Sequence, residues 1–208
     1  MTIKNYDQLS SLEIDTLREI GSIGTGNAAT ALSQMMNKQV RITLPEVRIM
    51  EYNEAIEWIG GPEEVTAGVL VKMSGDIGGI MLSVQKLELV NVVLNAMLGE
   101  NIDSYDNLTE LERSAMVEIG NIMISTFINA LSGLADVNIK LTVPAFAVDM
   151  QGAILTVPMA EYGGMSDYLM AIGGNFVCDG KEVPCHLILS PDLRSLDFLL
   201  RKLGVSNE

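Results

Sequence analysis

Arg113-Ser-Ala-Met-Val-Glu-Ile-Gly-Asn-Ile-Met123 repeats, in the second half of the chain, the pattern of Ile14-Asp-Thr-Leu-Arg-Glu-Ile-Gly-Ser-Ile-Gly24 in the first. A constant shift of 99 residues places Glu19 on Glu118, Gly21 on Gly120 and Ile23 on Ile122. The register continues without a gap to Ala31-Leu-Ser on Ala130-Leu-Ser, Thr43 on Thr142 and Pro45 on Pro144. Self-similarity over such a span marks a duplication, with repeats at about 8–100 and 107–208. No linker or low-complexity segment separates them.

Local chemistry repeats with the register. Ser10 with Glu13 and Thr109 with Glu112 are S/T-x-x-E capping boxes, so two helices are predicted to start at matching places. The first carries Leu17, Gly21, Gly24, Ala28, Ala31 and Met35 on one stripe; the second carries Met116, Gly120, Met123, Phe127, Ala130 and Leu134. That spacing is helical, and both stripes are predicted core. After each helix the period changes to the alternation of a strand, in Val40-Arg-Ile-Thr-Leu and in Val137-Asn-Ile-Lys-Leu-Thr-Val, each ending at a proline. Further strands are expected at Val65 to Met73, Ile80 to Val84, Ala153 to Val157, Tyr168 to Ile172 and His186 to Leu189, with a turn at Gly75-Asp-Ile-Gly-Gly. Late helices are expected at Lys86 to Leu98 and Asp192 to Leu203, ending near Gly99 and Gly204. Helix, strands, helix, twice over, predicts an α+β protein: one sheet from two pseudo-symmetric halves, with the two long helices side by side.

Composition narrows the function. Of 208 residues 48% are hydrophobic, enough for one sizeable core, and the net charge is -14. That balance argues against nucleic acid or an anionic membrane as partner and favours proteins with basic faces. The N-terminal residues do not read as a signal peptide, and no run of about 18 uncharged apolar residues suggests membrane insertion, so the expected location is cytoplasmic. Cys178, Cys185 and His186 fall short of a zinc ligand set and read as reduced thiols in or near a hairpin. Cys185 and His186, neighbours on a strand, should face opposite ways. Gly21, Gly24 and Gly26 lie inside a helical pattern, with Lys38 the nearest following lysine, so they read as close helix packing and not as a phosphate loop.

The candidate chemistry lies on the second long helix. Ser114, Glu118 and Asn121 fall at i, i+4 and i+7 and project from one face. Glu-x-x-Asn alone is a common solvated surface. With Pro144 following Asn121 at a distance of 23 residues, however, the stretch resembles the signature of the CheC/CheX/FliY phosphatases: Asp or Ser, three residues, Glu, two residues, Asn, then twenty-two residues to Pro. The first half offers Asp15, Glu19 and Pro45 in the same spacing, with Ser22 in place of Asn. The resemblance extends to Ile23-Gly-Thr-Gly-Asn-Ala-Ala and Val143-Pro-Ala-Phe-Ala-Val-Asp-Met, hence to most of the chain.

The resemblance, nearest to the CheC form, implies the CheC-like fold and hydrolysis of an aspartyl phosphate on a phosphorylated CheY-like response regulator. The Mg2+ of that reaction is expected on the regulator, and no cofactor on this chain. Asn121 would orient the attacking water, its amide being both donor and acceptor. Glu118 would pair with a regulator lysine, since a carboxylate repels phosphate. Glu19 would be the counterpart in the first half, and Ser114, Pro144, Asp15, Ser22 and Pro45 would support. The resemblance also implies a CheD-like deamidase as partner, and Asp149 is a candidate contact or simply a strand end. A rival reading is a non-catalytic binding module, because the family fold resembles the middle domain of the switch protein FliM.

Overall fold

The computed structural model describes residues 9–43, 46–161 and 168–205. Along these run α1 (Ser11–Met36), β1 (Val40–Ile42), β2 (Glu46–Glu51), α2 (Tyr52–Ile59), β3 (Val65–Gly75), β4 (Gly79–Gln85) and α3 (Leu87–Leu98). Then follow α4 (Glu110–Ala135), β5 (Ile139–Leu141), β6 (Ala145–Met150), α5 (Gln151–Glu161), β7 (Tyr168–Cys178), β8 (Lys181–Pro191) and α6 (Leu193–Lys202).

Both capping boxes form: the Glu13 carboxylate accepts from the Ser10 N–H at 2.7 Å, and that of Glu112 from the Thr109 N–H at 2.7 Å. Each long helix stops on a left-handed residue, Asn37 or Asp136, both at φ 50°, a conformation these short polar side chains tolerate. The single sheet has the order β1-β7-β8-β4-β3-β5, with β2 also on β7 and β6 also on β3, and every pairing is antiparallel. Exchanging the two halves leaves this order unchanged. The pseudo-two-fold therefore passes between the central strands β4 and β8, where Leu82 faces Ile188.

An axis relating antiparallel neighbours stands perpendicular to the sheet. The two long helices it exchanges must then lie antiparallel on one face. They touch closely: a Cβ built on Gly24 would stand 2.8 Å from the Phe127 Cα. Beneath them lies the main core, with Leu17, Ile20, Leu32, Ile119, Met123 and Phe127 on Val69, Val71, Met81, Ile172, Leu187 and Leu189. Side chains alternate across a strand, so the other face buries Leu82, Val84, Ala171 and Ile188 under α2 and α5.

Several expectations change. Ala153 to Val157 is not a strand but part of α5, whose buried Gln151, Ile154, Leu155 and Pro158 recur at helical spacing. The 99-residue shift places this segment on α2; neither α2 nor β2 is expected from the sequence, and β6 only as the strand that Asp149 would end. Leu134 leaves the predicted stripe and is 49% exposed, while Ile20, Leu32 and Met36 join the core. Ala31 and Met35 are half-buried. Helix α4 is long and apolar enough to cross a membrane by length and composition, yet 56% of its most apolar window is buried inside this fold.

The halves are not equally filled. Under the two-fold, β3 maps to β7 at a shift of 103 and β4 to β8 at 104, so Leu70 corresponds to Gly173 and Leu82 to His186. In the first half Trp58 fills the space over Gly173, where a Cβ would meet its Cη2 at 2.4 Å, and packs edge-on against His186 at 5.1 Å. Its counterpart, Val157, leaves an apolar cavity of about 260 Å³ lined by Gly68, Leu70, Leu82 and Ile154.

Candidate active site

Helix α4 holds Ser114, Glu118 and Asn121 on its outward face, the first two exposed and Asn121 half-buried. None of these side chains makes a hydrogen bond or ion pair with a described residue, so their polar groups are uncommitted. Directly behind them the helix is seated on the sheet. A Cβ on Gly120 would stand 2.6 Å from that of Val69, and Val69 pairs with Phe146 while Leu70 pairs with Ala145. This register brings half-buried Pro144, immediately before Ala145, toward the turn that carries Glu118 and Asn121. Ser114, Glu118 and Asn121 thus share the outward face of α4, and Pro144 immediately precedes β6, which pairs with the strand beneath that helix.

Three residues of this flank carry no motif signal. The Arg113 guanidinium lies 5.3 Å from the centre of the Phe146 ring, a cation stacked on β6. Leu111, one turn before Ser114 on the same face, is 62% exposed, and Val143, just before Pro144, is 88% exposed. Leu111 was legible as the residue seven before Glu118; Arg113 and Val143 needed the fold.

In the first half two of the three corresponding groups are engaged within the described residues. Asp15 pairs with Arg18 at 2.6 Å, and Ser22 donates its hydroxyl to the Arg18 carbonyl at 3.1 Å. Glu19 is exposed and uncommitted; Pro45 lies outside the described residues. Because α1 and α4 run antiparallel, the two motif faces lie toward opposite ends of the helix pair. Gly24 meets Phe127 near its middle, which puts Glu19 and Glu118 about 20 Å apart at 1.5 Å per residue.

Cys178 and Cys185 are free thiols on the β7–β8 hairpin. Burial raises both, Cys185 to about 12, so neither offers a thiolate. His186 points to the other face, where burial and then Lys86 hold it down to about 4 and its Nδ1 has no partner among the described residues. Among the described residues no cluster of three or more His, Cys, Asp or Glu is placed to hold a metal ion. Asp149 is exposed on edge strand β6 and accepts from the Met150 N–H at 2.7 Å.

Comparison with known proteins agrees with this architecture. A CheC-like family model matches residues 12–49 and again residues 111–148, once in each repeat. The CheY-P phosphatase CheC of Bacillus subtilis (strain 168) is 24% identical over 205 residues, covering 97% of this chain and 98% of that protein. The flagellar motor switch phosphatase FliY of the same organism is 29% identical over 143 residues, 68% of this chain and 37% of FliY. Among solved structures, Thermotoga maritima FliY has the same fold, with a TM-score of 0.74 at 21% identity over 95% of this chain and 98% of that one. A CheC-like match thus falls in each half, and similarity to a named CheC runs over nearly the whole length of this chain.

Proposed function

We propose that this protein hydrolyses the aspartyl phosphate of a CheY-like response regulator, with the Glu118–Asn121 face of α4 as the working site. The observation that carries this reading is that both groups sit on a packed helix with their polar atoms uncommitted. An acyl phosphate is already activated, and the Mg2+ that neutralises its oxygens would be the regulator's own. What remains is orientation. Asn121 would hold a water in line with the phosphorus. As the water oxygen bonds to phosphorus, the bond to the aspartyl oxygen breaks, leaving a free carboxylate and inorganic phosphate. Glu118 would pair with a regulator lysine and fix the register, and exposed Leu111 and Val143 would supply apolar contact. The first half, with Ser22 tied to its own helix, would dock a regulator without hydrolysing it.

The test uses purified protein and a phosphorylated receiver protein. Asn121→Ala should remove most of the activity with regulator affinity unchanged; Glu118→Ala should weaken affinity. Wild-type turnover by a folded Asn121→Ala protein would falsify the water-positioning role. Regulator binding without any loss of phosphate would favour the binding-module reading instead. A CheD-like deamidase is a second proposed partner, with exposed Asp149 as a contact; absence of a complex at micromolar concentration in a pull-down removes it. A cytoplasmic location belongs to the same proposal.

A further inference from the structure

The two halves differ at a buried polar side chain that bonds the motif helix from below. Gln85, the last residue of β4, is 2% exposed and donates from Nε2 to the Met116 carbonyl at 2.9 Å. Met116 lies inside α4, where the helix pattern already gives its carbonyl a partner in the N–H of residue 120; the Gln85 bond is additional. The strand end that presents Gln85 is itself fixed, its carbonyl accepting from Thr66 Oγ1 at 2.9 Å and Tyr105 Oη at 2.8 Å. One turn along, Gly120 allows close approach: a Cβ there would stand 2.9 Å from Gln85 Nε2 as well as 2.6 Å from Val69. Gly120 lies between Glu118 and Asn121, so the turn bearing both is held at a set height and rotation over the sheet.

The other half provides an internal control. There the two-fold counterparts of Gln85 and Met116 are Leu189 and Leu17, both apolar and buried. Packing alone is thus satisfied by leucine at this position, without the desolvation cost of a buried amide. The directional bond occurs only under the helix with the complete motif.

We infer that Gln85 is a positioning residue for the Glu118–Asn121 face, acting through the Met116 carbonyl; this rests on the proposed phosphatase reading. Steady-state dephosphorylation of a phosphorylated receiver tests it with Gln85→Leu, which copies the other half, and Gln85→Met, which keeps the length without a donor. The expected result for both is kcat lower by about tenfold or more, KM within about twofold, and an unchanged or higher thermal midpoint, because only orientation is lost. Wild-type kcat in both variants overturns the inference, as does a fall in kcat that comes with a matching rise in KM and a lower midpoint. If the wild-type protein itself removes no phosphate, the proposed function fails, and the catalytic role of Gln85 with it. That result is read from the wild type alone and so is distinct from the failure of Gln85.

Discussion

Restoring the amide that the first half lacks separates two physical explanations of its proposed inactivity. One is that Ser22 cannot orient water; the other is that contacts with Arg18 close the site. The structure sizes the second. The Ser22 bond to the Arg18 carbonyl is one neutral hydrogen bond, worth about 1 kcal/mol net. The Arg18–Asp15 pair has side chains 48% and 65% exposed respectively, an arrangement worth about 1 kcal/mol or less. Opening either therefore costs about fivefold in rate. A water displaced by about 1 Å costs on the order of a hundredfold, so the missing amide should dominate. In an Asn121→Ala background, where the second site is silent, Ser22→Asn should raise receiver dephosphorylation by about tenfold or more, and Arg18→Ala, which opens only the Asp15 pair because alanine keeps the carbonyl, by less than about fivefold. The readout is loss of the phosphoryl group from a phosphorylated receiver. If Arg18→Ala restores as much activity as Ser22→Asn, or Ser22→Asn restores none, the orientation argument is refuted. High activity of Asn121→Ala alone, abolished by Glu19→Ala, would make the first half the working site.

Other consequences concern stability. His186 is held from its ordinary 6.5 down to about 4, so its neutral form is favoured in the fold and the unfolded chain binds more protons between those values. Its contribution is therefore complete above pH 6.5 and is lost as pH falls toward 4, by about 3 kcal/mol. Urea unfolding of wild type and His186→Phe should show a steeper acid decline in the wild type, and parallel curves would contradict this. Gly24→Val should cost about 1–3 kcal/mol by forcing the long helices apart. Gly26→Ala, where a Cβ meets nothing within 4 Å, should gain about 0.5–1 kcal/mol from helix propensity; equal effects of the two would argue against close packing at Gly24. Val157→Phe should stabilise by about 1 kcal/mol by filling the cavity that Trp58 fills in the other half, and a lower thermal midpoint would show that the cavity cannot take a ring.

The duplication, both capped long helices, their polar faces and the spacing that joins Asn121 to Pro144 are legible in the chain alone. These are local or periodic, and a constant shift of 99 residues preserves them. The shift stays 99 through α2 and α5 and changes to 103 and then 104 only at the long strands; Ala153 to Val157 passes for a strand because its short apolar run shows no period of its own, although its counterpart is helical. Long-range pairing sets β4 against β8 at the two-fold, which turns the helices antiparallel and places the two motif faces at opposite ends. Tertiary packing also settles which polar groups remain free. Ser22 and Asp15 spend theirs on Arg18, whereas Asn121 and Glu118 do not, and Gln85 reaches the helix above it from another strand. Such differences depend on contacts distant in sequence and on the particular side chain opposite, and no periodicity records them.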